Sequence, residues 1–110
     1  MPRVFLGEVE YFVLLALLRL GGPQYGVPVL EEIAVRTGHR PSRAAIYIAL
    51  QRLETKGLVN SWLAEPTAER GGRARRYFEL QPAGLTALRD ARQAQLKMWA
   101  NVEHHLEPEG

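Results

Sequence analysis

Three observations predict an α+β fold, mainly α. Three short helical segments are each stopped by a glycine, two strand-like segments flank a Gly-Gly turn, and one long amphipathic segment follows Pro82. The chain has 110 residues, 46% hydrophobic and 24% charged, which is ordinary globular composition for one domain with its own core. It has no cysteine, which excludes a disulfide scaffold, a thiolate zinc site and a cysteine nucleophile.

The first helix is expected from about Gly7 to Leu20. Val9, Phe12, Val13, Leu14, Ala16, Leu17 and Leu20 recur at three- and four-residue spacing and spill round most of the circumference, as a central helix requires. Glu8 and Glu10 lie in its first turn, where the helix dipole favours negative charge, and the breakers of GGPQYG end it. A second helix fits Tyr25 to Thr37, because Pro28 is tolerated only in a first turn and Gly38 is placed to cap the C-terminus in the left-handed region. The third is expected to begin after Ser42, a good N-cap, and to end at Gly57. Its inner face is Ile46, Ala49, Leu50 and Leu53; outside lie Arg43, Ala44, Tyr47, Ile48 and Gln51, with Arg43, Tyr47 and Gln51 forming a ridge spaced by four.

Beyond Gly57 the period changes. LVNSWLAE (Leu58–Glu65) and RARRYFEL (Arg73–Leu80) read as strands around the turn PTAERGG (Pro66–Gly72). Phe78 and Leu80 share one face of the second strand, and Arg73, Arg75 and Tyr77 the other; Trp62 is expected to pack under the hairpin. From Pro82 a long final helix is expected to run to about Leu106.

Charge is distributed unevenly. Net charge is only +2, yet residues 36–76 hold nine Lys or Arg against three Asp or Glu, and ERGGRARRY places four arginines within seven positions. Three helices followed by a basic hairpin have the order of a winged helix-turn-helix, and an excess of arginine on its hairpin suits an anionic partner. The third helix has the size to enter a DNA major groove, with Ser42, Arg43, Ala44 and Tyr47 near its leading end and Gln51 further along. Arg43 suits guanine or phosphate, Tyr47 a phosphate, and Gln51 an adenine. Arg73, Arg75 and Arg76 suit the backbone or a narrow minor groove, and Arg75 and Arg76 are expected to contribute alike. Arg36, Arg40, Arg52 and Lys56 are expected only to solvate their helices.

At these residues the chain resembles the PadR family of bacterial transcriptional regulators, along roughly its first 85 residues. LGEVEYFVLLALLRLGGPQYGVPVLEEIAVRTG is similar to that family's opening helix pair, including the Tyr25–Gly26 step. AAIYIALQRLETKGLV is similar to its recognition helix and exit, and ERGGRARRYFELQPAG to its wing and entry into the last helix. The resemblance implies a dimeric, DNA-binding regulator of the repressor type. Three positions depart from the family pattern: Ile48 and Ala74 stand where proline is common, and Gln81 where threonine, a better N-cap, is frequent.

The final segment carries Leu85, Leu88, Leu96, Trp99, Val102 and Leu106 mostly on one stripe, interrupted by Arg92. In so short a chain a second copy is the expected cover, giving a twofold dimer, two recognition helices one DNA turn apart and a pseudo-palindromic double-stranded operator. The expected organisation is therefore a winged helix-turn-helix DNA-binding domain over 1–81 and a C-terminal dimerisation helix and tail over 82–110. Leu96, Trp99 and Val102 are the candidate dimer-interface residues, and also candidates to hold a small flat hydrophobic effector, as the resemblance implies.

No catalytic signature appears: there is no Gly-x-Ser-x-Gly, phosphate-cradling Gly-rich loop or pair of carboxylates in an apolar setting. His104 and His105 are adjacent and diverge by about 100° on a helix, so neither a metal nor a cofactor is expected. VLLALLRL (Val13–Leu20) is too short to span a bilayer, and the opening MPRVFLGEVE is a poor secretion signal, so a cytoplasmic protein without membrane contact is expected. The alternative for the same fold is a protein–protein interaction module without DNA binding, which would show a mixed or apolar third helix.

Overall fold

The computed structural model describes residues 5–65 and 74–107. Helix α1 (Glu8–Leu20) buries Val13, Leu14, Ala16 and Leu17, consistent with the near-continuous apolar surface of its sequence. α2 (Gly26–Thr37) follows N-cap Tyr25 and ends at Gly38, whose φ of 77° is left-handed. α3 (Arg43–Thr55) starts at Ser42, whose hydroxyl accepts from Ala45 N at 3.0 Å. Its Ile46, Ala49, Leu50 and Leu53 are buried with Val29, Leu30 and Ile33 of α2 in a single apolar cluster, as the periodicity predicts.

The expected strands are observed in shortened form as β1 (Val59–Leu63) and β2 (Arg76–Leu80), antiparallel, with Ser61 opposite Phe78 and Trp62 opposite Tyr77. Arg73 and the turn expected over 66–72 lie outside the described residues. The hairpin is anchored on its other side by Gln24, which exchanges two backbone hydrogen bonds with Phe78 (2.9 and 2.8 Å). β2 is thus flanked by β1 and by Gln24, two residues before the second helix. This support is what an isolated two-stranded hairpin lacks. Phe78, Val59 and Leu58 seal the end of the core.

Trp62 corrects one expectation. Opposite Tyr77 in the register, it faces away from Phe78 and lies on the open side of the sheet rather than beneath the hairpin. The residue that packs underneath is Phe78, 1% exposed.

α4 (Pro82–Trp99) is shorter than expected. Ala100 leaves the helix with ψ of 129°, Asn101 takes a left-handed φ of 70°, and a separate 3₁₀ helix occupies Glu103–Leu106. Asparagine tolerates the left-handed region better than other side chains, and this break removes Val102 and Leu106 from the α4 stripe. His104 and His105, expected to diverge, have ring centroids 4.1 Å apart on the 3₁₀ helix. No group of three or more His, Cys, Asp or Glu able to hold a metal occurs among the described residues. No described helix is long and apolar enough to cross a membrane.

The root of α4 is held closely. A Cβ on Gly84 would stand 2.5 Å from the Leu58 carbonyl oxygen and 2.6 Å from Leu80 Cδ1, so only glycine lets the helix approach the end of β2 this far. Ala87 and Leu88 are buried on the same domain. Gln81 makes no side-chain cap; its amide donates instead to Asn60 Oδ1 at 2.8 Å.

One ion pair joins the two ends of the helical layer. Lys56, at the exit of α3, donates to Glu10 Oε2 at 2.8 Å and to the Phe5 carbonyl at 3.0 Å, while Gly7 N donates to Glu10 Oε1 at 2.7 Å. Burial works against the Glu10 charge, but the hydrogen bonds from Lys56 and Gly7 and the charges of Lys56 and Arg52 outweigh it, holding the carboxyl below its ordinary value of 4.5. A depressed native pKa stabilises the fold above the unfolded-state value and is lost as pH falls through the native one. Glu10→Gln is expected to cost about 1–2 kcal/mol at neutral pH, less than a fully buried pair, because 33% of the Lys56 side chain is exposed. Denaturant titrations at neutral and acid pH check this; a cost that does not shrink on acidification contradicts the pairing.

Candidate nucleic-acid interface

The outward face of α3 is built by the same periodicity that buries its inner face. Ser42, Arg43, Ala44, Tyr47, Ile48 and Gln51 are all exposed, on the side opposite Ile46, Ala49, Leu50 and Leu53. They form one surface with a hydroxyl, a guanidinium, a phenol and an amide along the helix. The Ser42 cap and the Pro41 before it fix where that helix starts.

Tyr47 is not a free arm. Its ring lies over the first residue of α2: a Cβ on Gly26 would meet Tyr47 Cζ at 2.6 Å and its hydroxyl at 2.7 Å. Gly26 therefore lets the Tyr47 side chain rest across the N-terminus of α2 while 39% of the residue stays exposed. This close approach explains the Tyr25–Gly26 step that the sequence displays.

The open side of the sheet carries a row of side chains. Trp62 stacks on Tyr77, with centroids 6.4 Å apart and planes 18° from parallel. Tyr77 meets Tyr25 edge-on at 5.8 Å, and the Arg75 guanidinium lies over the Tyr25 ring, 4.2 Å from its centroid. Arg75 is thereby brought to the N-terminus of α2, whose first residue, Gly26, meets the Tyr47 ring.

Arg76, next in sequence, points to the other side. Its Nη1 donates to Ser61 Oγ at 3.0 Å, and that hydroxyl donates to Glu54 Oε2 of α3 at 2.6 Å. The two arginines expected to act alike occupy opposite faces of β2, as the period of a strand dictates. Arg76 braces the hairpin against the end of α3, whereas Arg75 sits on the aromatic row.

Several basic residues expected merely to solvate their helices are neutralised by carboxylates within the domain. Arg36 Nε lies 3.0 Å from Glu32, which Arg19 also approaches at 3.3 Å. Arg40 grips Glu31 through both terminal nitrogens, and the Arg40 hydrogen bond lowers the pKa of Glu31, with the nearby Arg43 charge adding to the effect. With Lys56 on Glu10, this leaves Arg43, Arg52, Arg75 and Arg76 as the described basic residues of the segment 36–76 without a salt bridge. Arg43 and Arg75 are the two of these on the surfaces just described.

The structure thus brings together Ser42, Arg43, Ala44, Tyr47 and Gln51 on one helix face, and seats Arg75 on Tyr25, next to the Gly26 that meets Tyr47. Arg76 lies on the reverse of its strand, Arg73 is outside the described residues, and Leu96, Trp99 and Val102 belong to a different part of the molecule. Sequence reasoning did not single out Tyr25, Gly26 or Tyr77 as parts of the site. The Tyr-Gly dipeptide was the available signal, but the facing of Trp62 and Tyr77 depends on a register that an irregular turn leaves open.

Comparison with known proteins agrees with this architecture. The model of the transcriptional regulator PadR-like family matches residues 14–90. A PadR family transcription regulator from Clostridium difficile R20291 superposes with a TM-score of 0.74 at 21% identity, covering 92% of this chain and 100% of that one. A transcriptional regulator from Clostridium thermocellum gives 0.73 at 21% identity, covering 90% and 93%. A PadR family transcriptional regulator from Eggerthella lenta gives 0.69 at 26% identity, covering 88% and 82%. A search of curated proteins finds no significant match. With its winged helix-turn-helix and a family match spanning most of its length, the chain belongs to the PadR-like family of transcriptional regulators.

Proposed function

We propose that this protein is a homodimeric, sequence-specific DNA-binding regulator of the repressor type, without catalytic activity, acting in the cytoplasm on a pseudo-palindromic operator. The observation that carries the reading is the exposed face of α3 formed by Ser42, Arg43, Ala44, Tyr47 and Gln51, together with Arg75 seated on Tyr25 at the N-terminus of α2. In this reading Arg43 and Gln51 read base edges, Tyr47 and Arg75 hold phosphates, and Arg73 and Arg76 complete the wing's positive charge. Residues 1–81 form the DNA-binding domain, and 82–110 the dimerisation helix and tail.

Support for the dimer comes from α4. Its root packs on its own domain through Gly84, Ala87 and Leu88, whereas Leu85, Leu96 and Trp99, within about 60° of one another on the helix, are 47%, 50% and 43% exposed. A second copy covers this stripe, with Val102 at its end, and sets two α3 helices one DNA turn apart. A small flat hydrophobic effector is the candidate ligand beside Trp99 in that interface.

The assignment of roles is tested by substitution. Arg75→Ala is expected to weaken specific and non-specific DNA binding about equally and to reduce the salt slope by about one. Arg43→Ala and Gln51→Ala instead change the ranking of operator variants, by about 1–3 kcal/mol at the base pair each one reads. Binding to duplexes over a salt series, with the operator and its single-base variants, measures both. An unchanged ranking together with an unchanged slope favours the protein-docking alternative, for which exposed Ala44 and Ile48 supply the apolar surface.

A further inference from the structure

We propose that Tyr25 is a positioning residue for DNA binding: its ring holds the Arg75 guanidinium where the wing, the N-terminus of α2 and the recognition helix meet. The inference rests on the DNA-binding reading above and assigns a role to a residue outside the expected contact set. The geometry points to it in three ways.

Tyr25 has no capping role to occupy its side chain. It stands at the N-cap of α2 but makes no side-chain cap hydrogen bond. The ring is turned across the sheet, where Arg75 lies over its face at 4.2 Å and Tyr77 supports its edge at 5.8 Å. A guanidinium over an aromatic face is attracted by the ring quadrupole while its donors remain directed outward round its rim.

The platform is also anchored at both ends. Gln24, one residue earlier, is fixed to Phe78 by a reciprocal pair of backbone hydrogen bonds, so the Tyr25 backbone cannot shift along β2. At the far end Tyr77 is stacked on Trp62 of β1. Arg75 is therefore tied to the body of the domain at the base of the hairpin.

The location, finally, is one of convergence. Gly26, adjacent to Tyr25, carries the Tyr47 ring of α3. The Tyr25–Gly26 step thus places one α3 side chain and one wing side chain at neighbouring points of a single surface. A long arginine loses much conformational freedom on gripping a phosphate, and an arginine already laid on a ring has less to lose.

The test is a double-mutant cycle on the full chain, read as the dissociation constant for a fluorescein-labelled mixed-sequence duplex in low salt, with thermal melting of every variant. Tyr25→Leu removes the ring face; Tyr25→Phe keeps it. The expected results are that Tyr25→Leu weakens binding about 2–5-fold, the strength of an exposed cation–π contact, while Tyr25→Phe binds as the native protein does. Arg75→Ala should then cost about 2–5-fold less in the Tyr25→Leu background than in the native one. A purely structural role for Tyr25 predicts a lower melting temperature with an undiminished Arg75→Ala cost, and that result overturns the proposal. So does tighter binding by Tyr25→Leu, which would mean that the ring withholds Arg75 from DNA. If Arg75→Ala has no effect in the native background, the DNA-gripping role of Arg75 itself fails, and the positioning role with it.

Discussion

Replacing Leu96 and Trp99 together by glutamate is expected to yield a folded monomer that binds its operator about 10²–10⁴-fold more weakly than the native protein. Both side chains lie on the half-exposed stripe of α4 and neither belongs to the buried core, so that core is left intact. In the proposed dimer the loss is the cover of a second copy, because two buried carboxylates facing their symmetry mates cannot be desolvated cheaply. Each half-site contact is then made independently, and the high effective concentration of the second recognition helix disappears. Sedimentation equilibrium gives the mass and a binding titration gives the affinity. A dimer of unchanged stability with unchanged affinity would show that the α4 stripe is not the interface.

Phe78→Ala carries the largest expected cost in stability, about 3–5 kcal/mol. Phe78 is 1% exposed and belongs to the same buried cluster as Leu14, Leu17, Leu50 and Leu53, so truncation leaves a cavity where the wing meets the helices. Against a total of about 5–15 kcal/mol for a domain of ordinary stability this is a large share, equivalent to a fall in melting temperature of roughly 15–30 °C. A hairpin residue on the other face makes a useful contrast. Trp62→Ala, on the open face and stacked only on Tyr77 among the aromatic contacts described, is expected to cost about 1 kcal/mol. Thermal melting of the two variants distinguishes the faces; equal costs would contradict the sidedness of the hairpin.

The helices were the most legible part of the fold, because each is bounded by chemistry as well as by period. Ser42 caps α3, Gly38 ends α2 and Pro82 opens α4, and all three do so in the structure. The outer face of α3 followed directly, since a 3.6-residue repeat that buries Ile46, Ala49, Leu50 and Leu53 must expose Arg43, Tyr47 and Gln51.

What stayed hidden depends on partners distant in sequence. The sequence alone puts Trp62 on the wrong face because the alternation within one strand does not say which residue of the other lies opposite. The pairing with Tyr77 settles it. The bond from Arg76 to Ser61 and Glu54, the seat of Arg75 on Tyr25 and the bed of Tyr47 on Gly26 all join elements that only the tertiary fold brings together. The end of α4 was missed for a different reason. The apolar stripe continues through Val102 and Leu106 as though the helix did, while the backbone breaks at Ala100 and Asn101, where no proline or glycine marks it.

The proposed function requires that this protein recognise a specific, twofold-symmetric DNA site. DNase footprinting of the purified protein on the DNA upstream of its own gene, with excess scrambled duplex as competitor, tests it most directly. The expected result is a protected segment with two half-sites one helical turn apart, persisting under competitor. Weak, salt-sensitive protection of any duplex, lost as soon as competitor is added, would contradict it.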